Sequence, residues 1–132
     1  MRRHLCLALL LALVSAIPAA AQQVQVIQGA LSDSQTGPLT DQYIYHVQGG
    51  DIVVQPGDSL TIQDNVVVKF ENGRGFRILG DLTCGGSGTA GVVFTSLADG
   101  SIGGGGGGSP APGDWKGLDI GAAFNIQIRG LE

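Results

Sequence analysis

Short segments that are apolar at alternate positions dominate residues 50–96. The segments at 60–62, 66–70, 76–78 and 92–94 follow the two-residue period of a β-strand. Turn-forming pairs such as Pro56-Gly57 separate them along the chain. No helical period of comparable length occurs after residue 22. The pattern therefore predicts an all-β fold.

Two topologies fit these segments. Asn72-Gly73 between two of them is a strong hairpin signal and favours an antiparallel β-sandwich. A two-residue turn there mixes charged and apolar side chains on both faces, whereas a three-residue loop sets Lys69 against Arg77. In a parallel β-helix, each strand pairs with the strand one coil later, and these two cations lie on different faces. The residues alone leave both topologies open.

The β-helix alternative assigns each strand residue to the inside or the outside of the coil. The predicted inward residues are Leu60, Ile62, Val66, Val68, Phe70, Phe76, Ile78, Leu82, Val92 and Phe94. The predicted outward residues are Thr61, Lys69 and Arg77. Glycine and asparagine supply the corners, because these residues most readily adopt positive φ.

Residues 1–21 have the features of a secretory signal peptide. Arg2 and Arg3 precede an apolar run over residues 5–17, and small residues follow it before Gln22. The run is too short for a membrane span. We therefore expect an exported protein, either secreted or on the cell surface.

The remaining chain is acidic and rich in glycine. Residues 22–132 keep all eleven acidic residues but five of the seven basic ones, and the basic residues form no cluster. This charge balance argues against nucleic acids and anionic membranes as partners. Six consecutive glycines lie within residues 97–114, which predicts a mobile loop. Cys84 is the only cysteine of residues 22–132, and its strand setting predicts burial.

The pattern divides the chain into three parts. Residues 1–21 form the signal peptide, and residues 22–49 form an N-terminal lead-in or cap. Residues 50–132 form the coils, with the glycine-rich loop at 97–114. Strand signals resume after that loop, at 118–120 and 126–128.

No residue pattern indicates catalysis, a cofactor or a metal. Residues 86–91 fit the spacing G-x-G-x-x-G, but a strand follows them, whereas a nucleotide site needs a helix. His46 has no nucleophile motif to serve, so we expect a solvent-facing strand residue. The aspartates are scattered among turns, where they typically hydrogen-bond to the backbone. We predict no catalytic, cofactor-binding or metal-binding residue.

Trp115 is the single candidate for a ligand contact. An exposed indole could stack on a sugar ring of a carbohydrate. As a structural residue it would hold the loop against the coil, and Gly113 and Gly117 would permit the bend. The structural role is favoured, and carbohydrate contact is the alternative.

The order of several motifs resembles a known family. Residues 45–47, 50–54, 56–62 and 66–70 follow one another, and Phe94-Thr95-Ser96 and Trp115-Lys116-Gly117 later bracket the glycine-rich loop. This order resembles the N-terminal coils of secreted bacterial right-handed parallel β-helix proteins of the pectate-lyase-like superfamily, over residues 40–121. The resemblance implies a lead-in and roughly three to four coils, open at the C-terminal end.

The resemblance and the missing catalytic residues together suggest a function. We expect a non-catalytic, exported surface or adhesin-like scaffold segment, a fragment of a longer protein. Its partners would be polysaccharide or other cell-surface components, and its open C-terminal edge could self-associate. One alternative is the N-terminal part of a polysaccharide lyase or glycoside hydrolase whose active site lies beyond Glu132. Another is a truncated gene remnant without function.

Overall fold

The computed structural model describes residues 22–86, 91–104, 108–121 and 126–128. Within these ranges the chain forms β-strands and no α-helix. The strands are β1 (Gln23–Ala30), β2 (Tyr43–Val54), β3 (Ser59–Ile62), β4 (Val67–Phe70), β5 (Phe76–Ile78), β6 (Asp81–Cys84), β7 (Val93–Ser96), β8 (Leu118–Ile120) and β9 (Ile126–Ile128). The predicted signal peptide lies outside the described residues. Among those described, no helix has the length and apolar character to cross a membrane.

All strand pairs of the described residues are parallel. One sheet has the order β7-β4-β2-β5-β8 with β1 beside β2, and the other has the order β3-β6-β9. The long β2 serves two faces of the coil, because its residues 44–47 pair with β4 and its residues 52–54 pair with β5. The chain is therefore a parallel β-helix of about three turns. The antiparallel sandwich is excluded.

The three faces of the coil repeat in register. The first face stacks β2, β4 and β7, the second stacks β2, β5 and β8, and the third stacks β3, β6 and β9. Tyr45 pairs with Val68 and Leu60 with Leu82, so a coil takes 23 or 22 residues at these positions. The step from Arg77 to Asp119 takes 42 residues, because the glycine-rich loop is inserted between β7 and β8. β1 already pairs with β2, and the expected division at residues 49–50 falls within β2.

The inward positions fill the tube with aliphatic and aromatic side chains. Of the ten predicted inward residues, all are buried except Phe94, which is partly buried and packs against the core. The prediction that Cys84 is buried is confirmed. Burial raises the pKa of its thiol to about 12, because the apolar core disfavours the thiolate.

The corners have the backbone conformations that their residues favour. Asn65 has a φ of 64° and Gly73 a φ of 75°, both in the left-handed region. Asn72-Gly73 thus turns a corner between β4 and β5 instead of closing a hairpin. At Gly80, a Cβ atom would collide with the backbone oxygens of Gln55 and Asp58, so this corner has no space for a side chain.

Candidate functional site

Aspartates at the corners connect one coil to the next. Asp33 accepts hydrogen bonds from the Thr61 amide at 2.8 Å and from the Thr61 hydroxyl at 2.7 Å. Two further aspartates act in the same way, because Asp51 accepts from the Gly75 amide at 3.0 Å and Asp64 accepts from the Gly86 amide at 2.8 Å. Each bond joins residues about one coil apart, so these carboxylates satisfy backbone donors of the solenoid.

The pKa values of two carboxyl groups reflect these contacts. The pKa of Asp51 is lowered, first by its hydrogen bond with Lys116 and further by the Gly75 amide. The pKa of Glu71 is lowered by the hydrogen bond from the Gly49 amide and by its bond with Arg74. Both groups are therefore ionised in the neutral range, as acceptors in the framework require.

A shallow polar groove lies beside the third face. It has a volume of about 350 Å³. Its lining includes Asp41, Thr61, Gln63, Asp64 and Asn65. Asp64 already accepts from the Gly86 amide. Hydroxyl and amide groups of this kind can donate hydrogen bonds to a polyol, and all three groups, the carboxylates included, can accept them.

A second groove, of about 250 Å³, lies on the second face. Its charged side chains pair with one another. Lys116 Nζ lies 2.8 Å from Asp51 Oδ2, and Arg77 Nε lies 3.3 Å from Asp119 Oδ2. All four side chains are more than one-third exposed, so these ion pairs lie in water and contribute little to stability.

A covered polar patch lies on the outside of the first face. His46, Lys69 and Thr95 occupy neighbouring positions of one outward row on β2, β4 and β7. Residues 97–104, which we call the strap, lie against this face: Gly104 accepts a hydrogen bond from Lys69 Nζ at 2.6 Å. Lys69 has no exposed surface. It points outward as predicted, yet the strap removes it from water.

The prediction for His46 was also incomplete. The residue faces outward, but it is only partly exposed and its Nε2 atom is buried without a hydrogen-bond partner in the described part of the chain. Burial and the nearby charge of Lys69 lower its pKa below the ordinary value. Ile44 and Val67 are apolar at outward positions and are buried, whereas Val24 and Val26 are apolar at outward positions of β1 and exposed. The apolar pattern alone therefore did not indicate the cover.

Hydrogen bonds connect residues in the described parts of the glycine-rich loop. The predicted mobility of this loop stays a prediction. Asp99 accepts hydrogen bonds from Thr95 and Ser101, and Asp114 accepts from the Ala111 amide at 2.8 Å. The glycine motif at 86–91 lies partly outside the described residues. The prediction that it binds no nucleotide therefore stays a prediction.

Trp115 lies at the end of this loop. Its ring stacks on Phe70 with centroids 4.5 Å apart and an angle of 12° between the planes. The indole is partly buried and packs against the hydrophobic core. One ring face is thus occupied by Phe70, as expected for a residue that holds the loop against the coil. Carbohydrate contact stays an untested alternative for Trp115.

The described residues contain no group of three His, Cys, Asp or Glu side chains that could hold a metal ion. Comparison with known proteins gave no match among protein-family models, curated proteins or solved structures. The chemistry of the side chains is therefore the basis for assigning a function.

Proposed function

We propose that this chain is part of a non-catalytic, exported scaffold of the surface or adhesin type. The observation that supports the proposal is the use of corner carboxylates in contacts between coils. Asp33, Asp51 and Asp64 each accept from a backbone amide about one coil away. These groups serve to hold the solenoid together, whereas a glycoside-cleaving site would need a facing pair of carboxyl groups.

The acidic surface gives the proposal its partner class. Few cations lie on the described surface, and the exposed ones are paired with carboxylates. A neutral polysaccharide or another polar component of the cell surface suits such a surface better than a polyanion does. Self-association belongs to the same proposal, because Ile120 on the last coil is half-exposed and offers apolar area to a second copy.

The test of this function uses the protein in its own organism. An antibody against residues 22–132 is applied to intact cells, to cells treated with external protease, to the cytoplasmic fraction and to the medium. We expect the signal on the cell surface or in the medium, and we expect external protease to remove the surface signal. Detection restricted to the cytoplasm would contradict export and the proposal with it.

The second candidate is the N-terminal part of a polysaccharide lyase or glycoside hydrolase of the pectate-lyase-like type. The polar groove beside Thr61 and Asn65 favours it, since this groove has the hydrogen-bonding groups that a saccharide needs. Protein purified from the organism is incubated with acidic and neutral polysaccharides, and new chain ends are measured. Depolymerisation would favour the enzyme, whereas retention of a polysaccharide without cleavage would favour the scaffold.

A further inference from the structure

The strap covers an apolar row on the outside of the first face. Ile44 points outward from β2, yet its exposure is only 4%. The strap approaches it closely at Gly103, where a Cβ atom would lie 2.9 Å from Ile44 Cδ1. Val24 occupies the next outward position on β1 and is 54% exposed. The contrast shows that the strap, and not the direction of the side chain, buries Ile44.

Lys69 connects the strap to the coil. Its ammonium group is fully buried and donates a hydrogen bond to Gly104 O at 2.6 Å. A buried ammonium group is costly unless nearby acceptors and charges compensate for it. The strap supplies both: the Gly104 carbonyl, and the carboxylate of Asp99, whose pKa is lowered mainly by hydrogen bonds from Ser101 and Thr95 and also by the charge of Lys69.

His46 lies beside Lys69 in the same outward row and is partly buried. Its neighbours in the row are Val26 on β1 and Lys69 on β4. The carboxylate of Asp99 on the strap interacts with the charge of Lys69. The Nε2 atom of His46 is buried and has no hydrogen-bond partner in the described residues. A neutral imidazole can leave this nitrogen unprotonated, but an imidazolium must place a donor and a charge there.

We propose that the strap is an acid-released cover: protonation of His46 frees residues 97–104 from the first face and uncovers Ile44 and Lys69, while the coil stays folded. The imidazolium would place a second positive charge next to Lys69, and no described residue accepts a hydrogen bond from its Nε2 atom. We expect the coil to remain intact because its hydrophobic core lies on the opposite side of the sheet from His46.

The equilibrium between closed and open strap depends on pH because His46 has a different pKa in the two forms. With the strap closed, the pKa of His46 lies below its ordinary value of 6.5, and with the strap open it returns towards 6.5. The closed form is therefore favoured above pH 6.5 and loses stability as the pH falls from there towards the lowered pKa. Each unit of difference between the two pKa values changes the ratio of closed to open strap about tenfold. Asp99 titrates only in a more acidic range, because its pKa is lowered from 3.8.

Hydrogen exchange tests the proposal on the full chain. Amide protection of residues 97–104 is measured between about pH 7.5 and pH 5 and corrected for the intrinsic pH dependence of exchange, with residues 76–84 as the internal reference. We expect strap protection to fall on acidification while the reference keeps its protection. Unchanged strap protection would overturn the proposal, and so would a parallel loss in the reference, which would indicate global unfolding.

Two variants separate His46 from other titrating groups. His46→Gln keeps a polar side chain that does not titrate, so we expect strap protection that no longer depends on pH in this range. Lys69→Met removes the neighbouring charge and the bond to Gly104. In this variant we expect lower amide protection of the strap at neutral pH and a smaller loss of that protection on acidification. The proposal would be overturned if acidification reduced the amide protection of the strap in His46→Gln as much as in the wild type. It would also be overturned if this loss of protection were undiminished in Lys69→Met.

Discussion

Ile78 and Ile120 occupy the same inward row of the second face, one coil apart, but their environments differ. Ile78 on β5 has no exposed surface, whereas Ile120 on β8 is 51% exposed. Ile78 has Val54 on one side and Ile120 on the other, while no described residue continues the row beyond Ile120. An inward position thus defines which way a side chain points, but burial also requires a coil on each side.

The connections of the two coils differ as well. A short corner around Asn72-Gly73 leads from β4 to β5, whereas the glycine-rich insertion separates β7 from β8. The last coil therefore closes a longer loop, which costs more conformational entropy. With less apolar burial and a longer connection, the last coil should open locally at a lower free energy than the middle coil.

The largest loss of stability is expected at Ile78, and comparison with Ile120 tests whether the middle and last coils differ in packing. Ile78→Ala removes a fully buried side chain and should lower the free energy of unfolding by about 2–5 kcal/mol. Ile120→Ala is the matched change in the last coil and should cost less than about 1.5 kcal/mol, because water already reaches half of the side chain. Urea unfolding of the full chain gives both values. Equal losses would mean that the two coils are packed alike.

Trp115 connects the later part of the chain to the middle coil, since its ring stacks on Phe70. We expect Trp115→Ala to cost about 2 kcal/mol, below the range for a fully buried tryptophan because the ring is partly exposed. Trp115→Phe is the control that keeps a stacking ring and should recover much of the loss. The same urea unfolding measures both.

Polysaccharide retention separates the two roles of Trp115. If its role is structural, Trp115→Phe should retain polysaccharide as well as the wild type does. Unchanged stability in Trp115→Ala, combined with lost retention, would instead assign the indole to a sugar contact.

Substitution of Asp33, the corner aspartate of the first coil, should lower the free energy of unfolding by an intermediate amount. Asp33 accepts two hydrogen bonds from Thr61, so Asp33→Ala leaves a backbone donor without its partner. We expect a loss of about 1–2 kcal/mol, since the site is only partly buried. Asp41→Ala is the control, because Asp41 lines the neighbouring groove with an exposed side chain. Comparable losses in both variants would argue against the role of corner carboxylates in joining the coils.

The fold could be predicted in large part from the sequence. The inward residues were identified correctly because the two-residue period and the corner glycines carry that information locally. Asn72-Gly73 was ambiguous because a hairpin turn and a β-helix corner both require positive φ at this place. The choice between them depends on pairing between distant strands, which a local pattern does not contain.

The covered polar patch around Lys69 could not be predicted from the local sequence pattern. Lys69 was correctly assigned to the outside of the coil, but its burial depends on a strap that lies 35 residues later at Gly104. The strap has no apolar period to indicate where it packs. The apolar residues at outward positions did not indicate it either, because Ile44 is covered whereas its neighbour Val24 is exposed.

The smallest effect is expected for the ion pair between the middle and last coils. Arg77 and Asp119 are partners in the register, and Arg77 Nε lies 3.3 Å from Asp119 Oδ2. Their side chains are 59% and 69% exposed, so water screens the pair and Asp119→Asn should change the free energy of unfolding by less than about 0.5 kcal/mol. High salt should remove even this difference, because mobile ions screen exposed charges.

The matched variant for this pair is Arg77→Gln, which should also have little effect. A loss above about 1 kcal/mol in both single variants, with no further loss in the double variant, would show that the pair couples the two coils. The last coil would then be held by its charged outer face, and the difference between Ile78 and Ile120 would no longer explain its stability.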